Sequence, residues 1–484
     1  MFTDDRRREV FRQLRERDTR AFAHLLAPEV FARAAQQAGL VVGNSALNLT
    51  NLVWLGIASA WHSGRNFADV LVLTLKILRD SGACSAKVPK RRSKSTRRSK
   101  HDPRGGDPTQ VTEEAFVKAR KLMPWSFWSN LIRVLVDSFE EQHPDTVRYK
   151  KFRLLALDGT SIDLENWKKL SSYFGTAKNG KTRGQTQARM VLLAFPTVRI
   201  PVRYELVPLA EGERTVAARL LNGLRRDDLV LIDRGFWSYG LFWQIQSQRA
   251  FFGIRLMAGV NLRTLRKLGR DDHLVEWTPS DRQWKAQGFP DSIPLRVINY
   301  QYRGFRPSAV VTNVLDAKAI TRDEWVGLAT NRRVGHVLVE GLYHRRWEIE
   351  TSLKELKVVQ GMEGGLRSRN PEGIAFEVAG HVVLYLLIRW LMVEAAKAHD
   401  ADPLRLSFIG AWNELVDISH SLLTSPSQRV VRVLLPLLLA RIASHRVAFR
   451  PGRHYPRPND TRIRNKGKGK RYLPSKLQTA TKQG

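Results

Sequence analysis

The sequence predicts an α/β fold, in which a mixed core is interrupted by a strand-rich insertion and flanked by helical N- and C-terminal regions. Three observations carry this. Short apolar runs, Leu154–Leu157 and Leu229–Ile232, end in turn residues and read as buried strands, with Ala188–Phe195 and Ile200–Val207 as further strands. Helix candidates at about 213–224 and 239–248 lie among them, which suits strands and helices packed in layers. Helical patterns fill both ends, and 43% apolar residues are enough for a large core.

Residues 1–83 read as an N-terminal helical region: Phe11, Leu14, Phe22 and Leu25 recur at roughly helical spacing, and Pro28 suits the first turn of a new helix. Residues 84–111, basic and rich in Ser, Pro and Gly, have little to bury and read as a flexible linker or a DNA-contacting arm. Residues 112–150 form a helical lead-in. Thr112 caps the first of its helices, with Glu113 and Glu114 in the favourable first turn. In the second, Phe127, Leu131, Leu135 and Phe139 stand at four-residue steps. The core then occupies 151–257 and 326–398, split by the insertion at 258–325. Helices fill 399–445, and 446–484 is a basic, Pro-rich, extended tail.

Charge narrows the function. Lys and Arg number 80 against 46 Asp and Glu, a formal net charge of +34. Such a surplus repels itself unless a polyanion neutralises it. Nucleic acid fits, because each phosphate contact by Lys or Arg releases condensed counterions. A single cysteine, Cys84, excludes an intramolecular disulfide framework and a Cys-rich zinc site. The N-terminus is charged from Asp4 onward, which leaves no secretory apolar stretch and points to the cytoplasm. Val382–Ile388 and Val433–Ala440 fall well short of the roughly 20 apolar residues of a membrane span, so they read as buried helices and no membrane partner is expected.

Asp158 and Asp233 each stand at the end of a buried run, and sites in open α/β sheets form beyond the carboxyl ends of strands. Either one alone reads more readily as an Asp that bonds its own turn than as a site residue. The segment 337–358 predicts one long helix. At about 100° per residue, Tyr343, Arg346, Glu350 and Lys357 share one narrow sector, joined by Lys354. Leu342, Ile349, Leu353 and Leu356 form the apolar stripe beside it, while Glu348 and Glu355 point away toward solvent. This selects Glu350 among the nearby acids, although i,i+4 ion pairs with Arg346 and Lys354 account for the helix by itself just as well. Carboxylates suit phosphodiester cleavage because they hold two divalent ions about 4 Å apart. Mg2+ prefers such hard oxygen ligands, and basic side chains and a tyrosine nearby suit flanking phosphates.

These motifs resemble the insertion-sequence DDE transposases of the IS-four family. The likeness lies in Asp158-Gly159-Thr160, in Asp233-Arg234-Gly235-Phe236, and in the spacing Tyr343, Arg346, Glu350, Lys357. It implies a ribonuclease-H-like core in which Asp158, Asp233 and Glu350 hold two Mg2+ ions, with Mn2+ as a possible substitute. It also implies a bacterial or archaeal, nucleoid-associated cut-and-paste transposase, a homodimer on DNA, acting on terminal inverted repeats and on target DNA through a hairpin intermediate. Tyr343, Arg346, Lys354 and Lys357 would contact DNA, and an aromatic residue would hold a flipped base, with Trp277, Trp284 and Trp325 as unassigned candidates. DNA-end recognition is expected of the N-terminal helices and the basic tail. Two alternatives stand beside this reading: a catalytically inactive, transposase-derived DNA-binding protein, and a cellular nuclease or resolvase on the same core.

Overall fold

The computed structural model describes residues 22, 25–41, 47–63, 65–80, 111–177, 184–279, 288–301, 307–327, 341–423 and 428–448. The basic linker and nearly all of the basic tail lie outside these residues, as do Phe11, Leu14, Trp284 and the expected helix start at Val337.

A short strand β1 (Arg148–Tyr149) leads into β2 (Phe152–Leu164), the hub of one mixed sheet. On one side β2 pairs antiparallel with β3 (Thr186–Phe195), and β3 with β4 (Ile200–Pro208). On the other, β2 pairs in parallel with β5 (Asp228–Ile232), and β5 in parallel with β6 (Phe251–Arg255). The order β4-β3-β2-β5-β6 is that of a ribonuclease-H-like core. The two apolar runs explain its centre: Leu154–Leu157 and Leu229–Ile232 are fully buried, as parallel strands covered on both faces require.

The insertion is part of the same sheet. It forms β7 (Arg263–Gly269), β8 (Asp272–Trp277), β9 (Ile293–Tyr300) and β10 (Ser308–Thr312), and β10 pairs antiparallel with β6. The sheet thus continues as β10-β9-β8-β7, and the core edge at β6 is paired rather than open. Arg296, fully buried, bonds both oxygens of Asp272 at 2.8 and 2.7 Å and so fixes β9 to β8.

The helices largely match expectation. Thr112 caps Glu113–Lys121 by accepting from Ala115 N at 3.2 Å, and Pro28 opens Pro28–Gln37. Pro371–Ala398 is the central helix. By length and composition it could cross a bilayer, but 94% of its apolar window is buried inside the protein. It packs against Leu49–Trp61, Gln428–Ser444 and β4. Leu49–Trp61 is buried from Asn51 to Trp61, so this N-terminal helix is core and has no face to offer as a DNA-reading element. The two helices cross at Gly56 and Gly380, where a Cβ on Gly380 would stand 2.3 Å from the Gly56 carbonyl oxygen.

That crossing predicts a specific sensitivity. Gly380→Ala must push the helices apart and should cost about 2–3 kcal/mol, the range of overpacked cores. A denaturant midpoint equal to that of the parent would refute the close crossing.

Candidate active site

Asp158 is not at a strand end. β2 runs on to Leu164 because β3 pairs with it all the way, from Ala156↔Ala194 to Leu164↔Thr186. What stops is the parallel ladder with β5, whose last rung is Leu157↔Ile232. The next residue on each strand is an acid, so register alone brings Asp158 beside Asp233. Asp158 Oδ1 accepts from Gly159 N at 2.8 Å. Asp233 Oδ2 accepts from Gly235 N at 3.2 Å and caps the turn Arg234–Phe236. Asp233 is therefore a turn-capping residue and a candidate site residue at once.

The helix Glu213–Leu220 packs against Gly159 of β2 and against the Asp233 turn, which inspection of the sequence missed. A Cβ at position 159 would meet the Glu213 carboxyl at 3.2 Å, so glycine there makes room for Glu213. Its neighbour Arg214 donates to Gly235 O at 3.1 Å. No local pattern signals these contacts, because they cross the fold.

The element carrying Glu350 is composite. Leu342–Arg346 is 3-10, Trp347–Lys354 is α, and Glu355–Val359 is a π turn. One uniform α-helix is thus corrected to three segments, and a π turn widens the register just after Glu350. Arg346 gathers the carboxylates. Its guanidinium lies 2.9 Å from Glu350 Oε1, 3.7 Å from Asp233 Oδ1 and 3.9 Å from Asp158 Oδ2. The first two share one nitrogen, so those oxygens are less than about 7 Å apart, a gap that ions about 4 Å from one another can fill. Arg346 is buried and stacks its guanidinium on Trp347, 4.9 Å from the ring centroid.

The other predicted DNA contacts divide. Tyr343 is buried, and its hydroxyl donates to Ile232 O at 3.1 Å and accepts from Arg255 N at 3.0 Å. It ties the ends of β5 and β6 together, and burial pushes its pKa up. Lys357 Nζ donates to Ser161 O at 2.6 Å and pairs with Glu363 at 3.1 Å, which braces β2 just past Asp158. Lys354 is exposed. Among the candidate base-holding residues, Trp277 and Trp325 are buried in the core, Trp277 against Trp237 and Tyr239. Trp347, beside the carboxylates, is exposed.

Glu348 and Glu355 do not face solvent. Arg199, in the β3–β4 turn with φ +59°, bonds Glu348 Oε2 at 2.6 Å and Glu355 Oε1 at 3.0 Å. Glu355 also accepts from Tyr385 at 2.7 Å and from Arg389 of the central helix. The back of the Glu350 helix is packed rather than wet, because the central helix and the β3–β4 hairpin enclose it. Removing one partner strands buried charge: Arg199→Met should cost about 3 kcal/mol. Arg199→Lys should recover only part, since one ammonium cannot reproduce the fork. Denaturant unfolding of both variants checks this, and parental stability for Arg199→Met would contradict the buried pairing.

The carboxylates can serve a divalent ion. Among the described residues no three His, Cys, Asp or Glu side chains form a closed metal-binding group. Yet the donors are all hard oxygens, and the site is short of positive charge. Burial pushes the Asp158 carboxyl up to about 6; Gly159 N–H and Arg346 oppose this, while Glu350 and Asp233 add to it. Residues 158, 233 and 350 thus fit a metal pair. A raised folded pKa stabilises the protonated form: that stability is whole below the unfolded value of 3.8 and lost as pH rises through about 6. In metal-free protein, Asp158→Asn should therefore stabilise by up to about 3 kcal/mol above pH 6 and be nearly neutral below pH 4. Thermal melts at both ends of that window decide it; a pH-independent difference counts against the buried ionised carboxyl.

Comparison with known proteins agrees with this geometry. Residues 149–387 match the family model described as Transposase DDE domain. Over 217 residues the chain is 28% identical to Transposase InsG for insertion sequence element IS4 of Escherichia coli strain K12. That alignment covers 42% of this chain and 46% of InsG, so the matched part spans less than half of the relative's length. A solved structure, the cryo-EM piggyBac transposase synaptic complex with hairpin DNA, overlaps 86% of this chain and 84% of its own at 9% identity, with a TM-score of 0.37. The two strands and the helix that bring Asp158, Asp233 and Glu350 together all lie within residues 149–387, and this chain carries a transposase DDE domain, related to that of InsG.

Proposed function

We propose that this protein is a metal-dependent DNA transposase that moves an insertion sequence by cut and paste. The observation that carries the reading is the gathering of Asp158, Asp233 and Glu350 around Arg346 inside a transposase DDE domain. Its partners are the terminal inverted repeats of its own element and target DNA, bound as a homodimer in the bacterial cytoplasm. The charge of +34 supports the nucleic-acid partner.

Asp158, Asp233 and Glu350 would hold two Mg2+ ions, with Mn2+ as a substitute, since hard oxygen donors match both. Such a pair, when bound, activates the attacking oxygen and stabilises the leaving one. The chain's own residues hold the frame. Tyr343 acts as a positioning residue that fixes the carbonyl just before Asp233. Lys357 holds the strand beyond Asp158. Arg346 and the exposed Lys354 are the groups we assign to DNA phosphates, and Lys357 can join them from its place beside Thr160. Trp347 offers an exposed indole against which an extruded base can stack.

The chemistry is four phosphoryl transfers. Water breaks the bond between the element's 3′ oxygen and the flanking phosphate, freeing a 3′-hydroxyl. That hydroxyl attacks the opposite strand, closes a hairpin and releases the flanking DNA. After water opens the hairpin, the same hydroxyl attacks target DNA and joins the element to it.

The cognate ends are the short inverted repeats bracketing the gene within a direct duplication. On a duplex of those ends, Asp233→Ala should abolish Mg2+-dependent cutting, a loss of at least about a thousandfold, and leave end binding intact. A variant that still cuts would sink the assignment. A parent that binds but never cuts with any divalent ion would favour a DNA-binding descendant instead. Cutting without joining to a second DNA would favour a nuclease.

A further inference from the structure

We propose that Arg346 is a built-in stopper of the metal site: without DNA its guanidinium fills the gap between Asp158, Asp233 and Glu350, and divalent ions load when a DNA phosphate draws it out. The inference rests on the transposase reading for the identity of both ligands.

Four observations support it. First, the guanidinium faces all three acids, at 2.9, 3.7 and 3.9 Å. A dication placed among the same oxygens would stand against a full positive charge at a few ångströms, a strongly repulsive arrangement even in a partly wet site. Second, Arg346 is poorly satisfied where it sits. Only the Glu350 contact is at hydrogen-bonding distance, and its buried Nε finds no partner among the described residues. Third, a phosphate offers such a fork two parallel bonds, a better partner than two distant carboxylates. Fourth, the site is open to both ligands: the side chains of Glu350 and Asp233 are 41% and 45% exposed. Trp347 covers one face of the guanidinium, whose central carbon lies 4.9 Å from the ring centroid. Withdrawal requires the guanidinium to swing off that ring and off the acids, a side-chain movement.

Linkage then makes DNA and metal cooperative, since each is easier to bind once the other has displaced or replaced Arg346. A free molecule keeps its carboxylates partly compensated by its own arginine, and the ions needed for cutting enter with the substrate.

The test measures Mn2+ alone, by the electron paramagnetic resonance signal of the free ion, titrated into full-length protein. Arg346→Met should bind Mn2+ at least about tenfold more tightly than the parent. Arg346→Gln, neutral and polar, serves if the methionine variant fails to fold as judged by circular dichroism. Adding Asp233→Asn to either should remove the gain, which ties it to the carboxylates. Arg345→Met, which removes the neighbouring cation that has no carboxylate pair among the described residues, should change affinity less than about twofold; an equal gain there would mean a general field rather than a stopper. A duplex of arbitrary sequence, at low salt, should raise the parent's Mn2+ affinity several-fold and leave that of Arg346→Met unchanged. Folded Arg346 variants no tighter than the parent, or a parent indifferent to the duplex, would overturn the proposal. Failure of end cleavage would overturn the transposase reading while leaving these Mn2+ titrations as they are.

Discussion

The parallel ladder between β2 and β5 ends at Leu157 and Ile232, and the site exists because of where it ends. Both strands are fully buried there, so their register cannot slip by a residue without turning apolar side chains outward. Fixing that rung fixes the next two residues, Asp158 and Asp233, side by side. Everything else in the site adjusts to this pair. Tyr343 pins the carbonyl of Ile232, Lys357 pins the backbone at Ser161, and the helix Glu213–Leu220 braces Gly159 and Gly235.

Placing acids together has an electrostatic cost, and the fold spreads the compensation over two shells. The inner shell is Arg346, set among three carboxylates. The outer one lies behind the Glu350 helix, where Arg199 and Arg389 neutralise Glu348 and Glu355. The helix is thus held by charge on one side while its other side stays half open to solvent. Asp158 still lacks full compensation, as its raised pKa records. Such a site favours an added cation, which is the property a DDE domain needs.

Beyond the core, the chain uses one sheet and one central helix to unite segments that look independent in sequence. The insertion extends the core sheet across β6, and Leu49–Trp61 closes one side of Pro371–Ala398 through a glycine-to-glycine crossing. The N-terminal helices are therefore scaffolding before they are anything else. Loss of residues 1–80 would strip the central helix as well as any DNA contact, so the two effects would arrive together.

The sequence by itself determined the buried strands, most helices and the four-residue spacing around Glu350, and it singled out the three acids that the fold gathers around Arg346. These rest on local periodicity, apolar runs and motif spacing, which need no partner to be visible. Tertiary structure decided the rest. It ran β2 past Asp158, because β3 continues to pair there, and it divided the Glu350 element into 3-10, α and π segments. It turned Glu348 and Glu355 inward, since what covers a helix's second face is set by residues 30 to 156 positions away, Arg199, Tyr385 and Arg389, which no local period reveals. It also buried Tyr343, Trp277 and Trp325 and left Trp347 at the rim. Burial and charge pairing are properties of neighbours in space, and a one-dimensional pattern does not contain them.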